Sequence, residues 1–90
     1  MNVLKYTKEV EAVYFDGITD VQEIANWCGG LIVELVDSNG RLRNDLYAID
    51  LPSPGGYMTA GADFYIFKDG PSFFALQKDA FLANFKEIDG

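Results

Sequence analysis

The chain has 90 residues, enough for one domain, and 49% of them are hydrophobic, which excludes an intrinsically disordered chain. Its 14 acidic and 7 basic residues give a net charge of −7, which argues against direct binding to nucleic acid or to an anionic membrane. A single cysteine leaves no internal disulfide, and no apolar run approaches the length of a membrane span. We therefore expect a single domain over residues 1–90 that folds by packing alone, as suits a reducing compartment.

The first predicted strand is Val10–Phe15, which is rich in β-forming residues. A helix should follow, because apolar residues recur at the spacing of one helix face: Val21, Ile24, Ala25 and Cys28. Thr19 is the predicted N-cap and Gln22 completes a capping-box pattern. The pair Gly29-Gly30 should end the helix, since glycine adopts the left-handed C-cap geometry.

The middle of the chain indicates antiparallel strands. Leu31–Val36 has one polar residue and is predicted to be a strand, suited to a central position in the sheet. Asp37–Gly40 contains an Asn-Gly pair and predicts a tight turn, with a return strand within Leu42–Ile49. Leu51–Gly56 is rich in proline and glycine and predicts an irregular loop, followed by a short strand at Tyr57–Ala60.

Aromatic residues are concentrated in the segment "DFYIFKDGPSFF", Asp63–Phe74. The strand that begins it places Phe64 and Ile66 on one face and Tyr65 and Phe67 on the other. All five rings of the segment cannot enter a core on one side of a sheet. Some must therefore contact a second layer, a partner or solvent.

The last predicted elements are a turn at Lys68–Pro71, a return strand at Ser72–Leu76 and a helix at Lys78–Ile88. The element order of strand, helix, several antiparallel strands and helix is typical of the α+β class. We expect a small curved antiparallel sheet of five to six strands, with one helix in the N-terminal half and one at the C-terminus.

Residues that commonly carry catalysis are scarce. The absence of histidine removes the commonest general base and metal ligand, and Cys28 at a helix C-terminus is predicted to be a buried apolar group. The acidic residues Asp45, Asp50 and Asp63 could approach one another across strands, but nothing in their spacing requires acid–base chemistry. We predict no catalytic residue, no cofactor site and no metal site, and therefore a protein that is not an enzyme.

Three stretches of the sequence are similar to a family of small uncharacterised proteins from tailed bacteriophages and prophages: "VEAVYFDG" (10–17), "EIANWCGG" (23–30) and "DFYIFKDGPSFFALQKDAF" (63–81). Met58-Thr59-Ala60 matches a further element of the family. The chain departs from the family pattern at Ala62-Asp63, where Gly-Asp is usual, and at Gln77-Lys78, where Lys-Pro is usual. The resemblance implies a phage origin and a shared fold, and it supplies no catalytic residues. For a phage protein that acts on a host protein, we expect the host cytoplasm as location.

Aromatic positions that match the family imply a shared scaffold: Phe64, Phe73, Phe74, Phe81 and Phe85. Tyr65 and Phe67 stand where the family often has an aliphatic and a basic residue, so they are candidates for a surface specific to this chain. With Tyr57 they form the predicted partner-binding set. The alternative is that Tyr65 and Phe67 pack on a helix.

Three functions remain open. The first is a non-enzymatic protein-binding module that docks on a host, defence or phage protein and inhibits it. The second is a structural virion component, such as a decoration or connector protein, in which self-association through an edge strand would give a homo-oligomer. The third is an enzyme or nucleotide-binding protein that uses carboxylates and aromatic rings.

Overall fold

The computed structural model describes residues 1, 3–6, 10–36, 39–53 and 55–86. Within these ranges the chain forms seven strands and two helices. In chain order they are β1 (Leu4–Tyr6), β2 (Val10–Phe15), α1 (Val21–Cys28), β3 (Leu31–Val36), β4 (Leu42–Ser53), β5 (Gly56–Ala60), β6 (Phe64–Asp69), β7 (Ser72–Gln77) and α2 (Lys78–Asn84).

The predicted α+β class is confirmed. Where the sequence predicts one curved sheet, the described strands divide into a four-stranded sheet of order β1-β2-β6-β7 and a three-stranded sheet of order β3-β4-β5. Every neighbouring pair of strands is antiparallel. Neither helix is long and apolar enough to cross a lipid bilayer, within the part of the chain described.

The four-stranded sheet carries buried residues on both faces. One face packs against α1 and the three-stranded sheet, through buried residues that include Val13, Phe15 and Ile66. The other packs against α2, through Val10, Ala12, Phe67, Phe81 and Phe85. Since successive strand residues point to opposite faces, this arrangement accommodates the aromatic residues of β6 and β7 on two sides of one sheet.

The start of α1 differs from the predicted capping box. Asp20, not Thr19, is the N-cap, at φ 57°, and it makes no side-chain cap bond. The Thr19 hydroxyl instead donates to Asp16 Oδ2 at 2.7 Å, while Asp16 Oδ1 accepts from the backbone N–H groups of Ile18 and Thr19 at 2.8 and 2.7 Å. Asp16 therefore orders the turn that precedes the helix, which is a common role of an aspartate side chain.

The end of α1 agrees with the sequence. Gly29 is the C-cap at φ 68°, and the N–H of Gly30 donates to the carbonyl of Ala25 at 2.8 Å. A β-carbon on Gly30 would lie 2.6 Å from Ile49 Cγ2 and 3.0 Å from the carbonyl oxygen of Asp50. The two glycines thus serve different needs, the first a left-handed conformation and the second a close approach to β4.

The predicted loop at Leu51–Gly56 is wrong, because β4 continues through Ser53 and pairs with β5 up to Gly56. The N–H of Tyr47 donates to the carbonyl of Gly17 at 2.8 Å, and Gly17 is not part of β3, which pairs with β4 at Tyr47. This N–H therefore points away from β3, toward the edge of β4 where β5 pairs. By alternation, Leu51 directs its N–H to β5 and the nitrogen of Pro52 points away. Pro52 therefore sits opposite Tyr57 without removing a bond to β5.

Two further differences concern position and length. β3 is an edge strand of its sheet, not a central strand, because β4 alone pairs with it among the described strands. α2 ends at Asn84, with Phe85 extended at φ −132°, so that the ring of Phe85 stacks on Phe81 at 4.7 Å. The predicted turn at Asp37-Ser38 and the end of the last predicted helix at residues 87–88 lie outside the described residues.

Candidate functional site

The three predicted partner-binding residues lie in different environments. Tyr57 is on β5 in the three-stranded sheet, and 72% of its surface is exposed. Tyr65 and Phe67 are on β6 in the four-stranded sheet, on the face that α2 covers. The structure therefore does not unite the three rings in one surface.

Phe67 is a core residue, and the prediction that it contacts a partner is wrong. It is 6% exposed, and its ring centroid lies 5.4 Å from that of Phe81 and 5.3 Å from that of Phe85. Phe74 on β7 adds a stacked neighbour at 5.6 Å. The alternative derived from the sequence, packing on a helix, is the arrangement that the structure has.

Tyr65 is half-buried and also packs on α2. Its ring stacks on Phe81 with a centroid distance of 4.5 Å and an interplanar angle of 11°. The ring of Tyr65 also lies 5.4 Å from that of Tyr14. Tyr65 also lines a cleft that is described below.

Tyr57 belongs to an exposed face of the three-stranded sheet. Residues that pair across antiparallel strands lie on the same face, and the registers place Leu31 beside Asp50, Asp50 beside Thr59 and Pro52 beside Tyr57. We call this the outer sheet face: Leu31, Val33, Ala48, Asp50, Pro52, Tyr57 and Thr59. Ala48, at its centre, is buried, whereas Leu31, Pro52, Tyr57 and Thr59 are exposed. The opposite face carries Ile49, Leu51 and Ala60, which are buried in the core that the three-stranded sheet shares with α1 and the four-stranded sheet.

The outer sheet face presents large apolar groups to solvent. Leu31 is 64% exposed and Tyr57 is 72% exposed, the two highest values among the exposed large hydrophobic residues of the described chain. Pro52 is also exposed. Between them, the hydroxyl of Thr59 donates to Asp50 Oδ1 at 2.6 Å, so the central polar pair is internally satisfied. Such a surface, apolar at its ends and polar between, is typical of protein contact sites.

The charge of this sheet is acidic. The sequence of β3, β4 and β5 contains the acids Glu34, Asp45 and Asp50 against the single base Arg43. Lys68 and Lys78, in contrast, lie in β6 and α2, outside the three-stranded sheet. Together with the net charge of −7, this composition favours a basic partner for the three-stranded sheet.

A cleft of about 310 Å³ lies between β1, β2 and the start of α1. Its polar side chains are engaged within the chain. The Tyr14 hydroxyl donates to Asp63 Oδ1 at 2.6 Å, and this bond raises the pKa of Tyr14 to about 12. The hydrogen bonds that Asp16 accepts from Thr19 and Ile18 lower the pKa of its carboxyl. The amino group of Met1 pairs with Asp20 and Glu23 at 3.2 and 3.3 Å.

The remaining candidates for chemistry have structural roles. Cys28 is free and 2% exposed, and burial raises the pKa of its thiol. Asp50 and Asp63 engage different partners, Thr59 and Tyr14, and the side chain of Asp45 lies outside the described residues. In the portion of the chain described, no group of three or more Cys, Asp or Glu side chains is placed to hold a metal ion.

Sequence reasoning missed Leu31 and Pro52 as surface residues. The almost wholly apolar composition of its strand favours a central position for Leu31, and the proline and glycine residues around Pro52 predict a loop. The available signal was the alternation of Asp50 with Leu51, which marks β4 as a strand with one polar face. Placing Leu31 on that face also requires the strand register, which the sequence does not contain.

Comparison of the chain with protein-family models, with curated proteins and with solved structures finds no match.

Proposed function

We propose that this protein is a non-enzymatic protein-binding module of a tailed bacteriophage or prophage. It acts in the host cytoplasm, where it docks on a host or defence protein through the outer sheet face and inhibits it. The observation that carries the proposal is the exposure of Leu31 and Tyr57 on one face of a small sheet. The phage origin rests on the resemblance of the stretches 10–17, 23–30 and 63–81.

Energetic considerations support the outer sheet face as the contact surface. An exposed leucine or aromatic ring stabilises a complex by about 1.5–3 kcal/mol when it becomes fully buried. Tyrosine is enriched among the residues that dominate binding energy, because it offers a large rigid ring and a polar tip. Tyr57 is therefore the expected anchor, with Leu31 and Pro52 completing the apolar contact.

The experiment is affinity capture from infected cells with the tagged wild-type chain and with a Leu31→Ser/Tyr57→Ser double variant. We expect the wild type to retain a partner at near-stoichiometric amounts and the double variant to lose it. The matched control is Leu82→Ser on α2, which replaces a leucine that is 44% exposed outside the outer sheet face. Capture that survives the double variant, or that Leu82→Ser abolishes equally, would contradict the assignment of this surface.

The alternative function, a structural component of the virion, is favoured by the free edge that β3 presents, since edge strands support assembly. Mass spectrometry of purified particles separates the two functions. A fixed copy number per particle would establish the virion role and exclude the inhibitor role. Absence from particles, together with capture of a host protein, would support the inhibitor.

A further inference from the structure

The outer edge of β3 differs from the other long sheet edge of the molecule. β7, the six-residue edge strand of the four-stranded sheet, is covered by the other sheet, and its Ala75 N–H donates to Met58 Sδ at 3.0 Å. β3 also has six residues, and no described strand lies beyond it. An uncovered edge of this kind is a template for pairing with another extended segment.

The backbone groups that face outward from β3 follow from the register. Glu34 pairs with Tyr47, whose N–H points away from β3 to the carbonyl of Gly17. In an antiparallel ladder, the two residues of a non-hydrogen-bonded pair both direct their backbone N–H and C=O groups away from each other. Glu34 and, by alternation, Ile32 therefore direct their N–H and C=O groups outward, toward the edge beyond which no described strand lies. The register shift between Glu34 and Val36 confines this regular edge to the first part of β3.

The side chains beside this edge indicate what pairs with it. Leu31 and Val33 belong both to the edge strand β3 and to the outer sheet face. A strand added at this edge would therefore lie beside apolar side chains and extend an apolar surface. Glu34 is exposed, and the three acids of β3 and β4 outnumber the single Arg43. Backbone pairing supplies affinity in strand addition, while the alternating side chains of the added strand supply specificity.

We propose that the outer edge of β3 binds an extended, basic segment of a partner protein by strand addition at Ile32 and Glu34. This inference rests on the proposed protein-binding function and names the chemistry of the partner. Alternate residues of the segment are apolar and cover Leu31 and Val33, and the residues between them carry positive charge toward Glu34. The added strand makes the three-stranded sheet four-stranded.

Charge decides between this occupant and a second copy of the chain. A second copy would bring another net charge of −7 to an edge that is already acidic. If the β3 strands of two copies paired, each would bring Glu34 as its one charged residue, so like charges would meet at the edge. A basic segment meets the same backbone groups with attraction in place of repulsion.

The test uses a defined probe, an end-capped heptapeptide of alternating lysine and valine, added to the full chain. We expect the amide resonances of Ile32 and Glu34 to shift on titration, and their hydrogen exchange to slow by about tenfold or more, because their N–H groups become bonded. A heptapeptide of alternating glutamate and valine should not bind. Shifts distributed elsewhere, or equal binding of the acidic peptide, would overturn the proposal.

Two variants separate the backbone from the charge. Glu34→Thr removes the carboxylate and keeps the N–H, while Glu34→Pro also removes the outward N–H without breaking a bond to β4. We expect Glu34→Pro to bind the basic peptide about tenfold more weakly than Glu34→Thr, because only it lacks the donor. Equal affinities of the two variants would show that the edge is not used.

A measurement on the wild type removes any dependence on the folding of the proline variant. The basic peptide methylated at every backbone nitrogen keeps its charges and has no donors, so it should lose binding to the wild-type chain. Retained binding would contradict strand addition.

Sedimentation of the free chain should show a monomer. A dimer that Glu34→Pro dissociates would overturn the proposal, because the occupant of the edge would then be a second copy of the chain. Capture that depends on Leu31 and Tyr57 without any binding of the basic peptide would leave the protein-binding function standing and the edge proposal wrong.

Discussion

Tyr14 and Asp63 form a hydrogen bond of 2.6 Å that links β2 to the residue before β6. The bond needs the neutral phenol, so it stabilises the fold below the ordinary tyrosine pKa of 10.0 and is lost as the pH rises through about 12. Asp63 also holds a left-handed backbone, at φ 66°. Asparagine tolerates this conformation, which makes it a conservative replacement.

Asp63→Asn should therefore lower the pKa of Tyr14 toward 10.0 without disrupting the turn. The carboxylate charge that favours the protonated phenol is removed, while a side-chain acceptor remains. Ultraviolet titration of tyrosinate, or NMR of the ring carbon next to the hydroxyl, would report the change. An unchanged titration of Tyr14 would show that Asp63 is not its acceptor in solution.

Phe67 and Tyr57 form a second residue-scale comparison, since both are aromatic strand residues with opposite exposure. Phe67→Ala should lower the free energy of unfolding by about 3–5 kcal/mol, because it opens a cavity beside Phe81. Tyr57→Ala should change it by about 0.5 kcal/mol or less, as is usual for an exposed side chain. Urea denaturation followed by circular dichroism measures both values. Similar losses for the two variants would contradict the burial of Phe67 in the monomer.

At the scale of elements, the end of α1 shows how two adjacent glycines contribute differently. Gly29→Ala should cost about 1 kcal/mol, since φ 68° strains a residue with a β-carbon while nothing lies within 4 Å of that carbon. Gly30→Ala should cost about 3 kcal/mol, because its β-carbon would meet Ile49 and the Asp50 carbonyl on β4. Thermal unfolding of the two variants tests this order. A reversed order would mean that β4 does not lie against the helix end.

The ends of helices and strands depend both on residues close in the chain and on contacts with distant segments. The stripe of Ile24, Ala25 and Cys28 predicted α1, since helix periodicity is a local property, and all three residues are buried. The sequence predicts Thr19 as the cap of that helix, but the Thr19 hydroxyl donates a hydrogen bond to Asp16 instead. Pro52 was expected to break a strand, but only the register shows that its nitrogen points away from β5. Local patterns thus predicted the elements better than their ends.

At the scale of the whole molecule, Gly17 lies where the two sheets meet. Its carbonyl accepts from Tyr47 N–H, and a β-carbon at this position would approach Ala62 Cβ to 2.9 Å and Leu46 Cδ2 to 3.0 Å. Gly55, in the hairpin between β4 and β5, has the same φ of +91° and nothing within 4 Å. The two positions therefore share a φ that would strain a residue with a β-carbon, and they differ in the space available for that carbon.

Gly17→Ala should lower the free energy of unfolding by about 3 kcal/mol, and Gly55→Ala by about 1 kcal/mol. For a domain of this size, that difference corresponds to about 10 °C in the melting temperature. Calorimetry of both variants measures it. Equal melting temperatures would show that the contact between the sheets at Gly17 has room for a methyl group.

By itself, the sequence determined the α+β class, the helix stripe of α1, the glycine that ends it and the strands at Val10–Phe15 and Leu31–Val36. These features follow from periodicity and from backbone preferences, which act between residues close in the chain. Only the tertiary structure decided that the strands form two sheets, that both faces of one sheet are covered, and that β3 lies at an edge. Those outcomes put Phe67 inside and Leu31 outside, and they depend on contacts between distant segments, which no local pattern specifies.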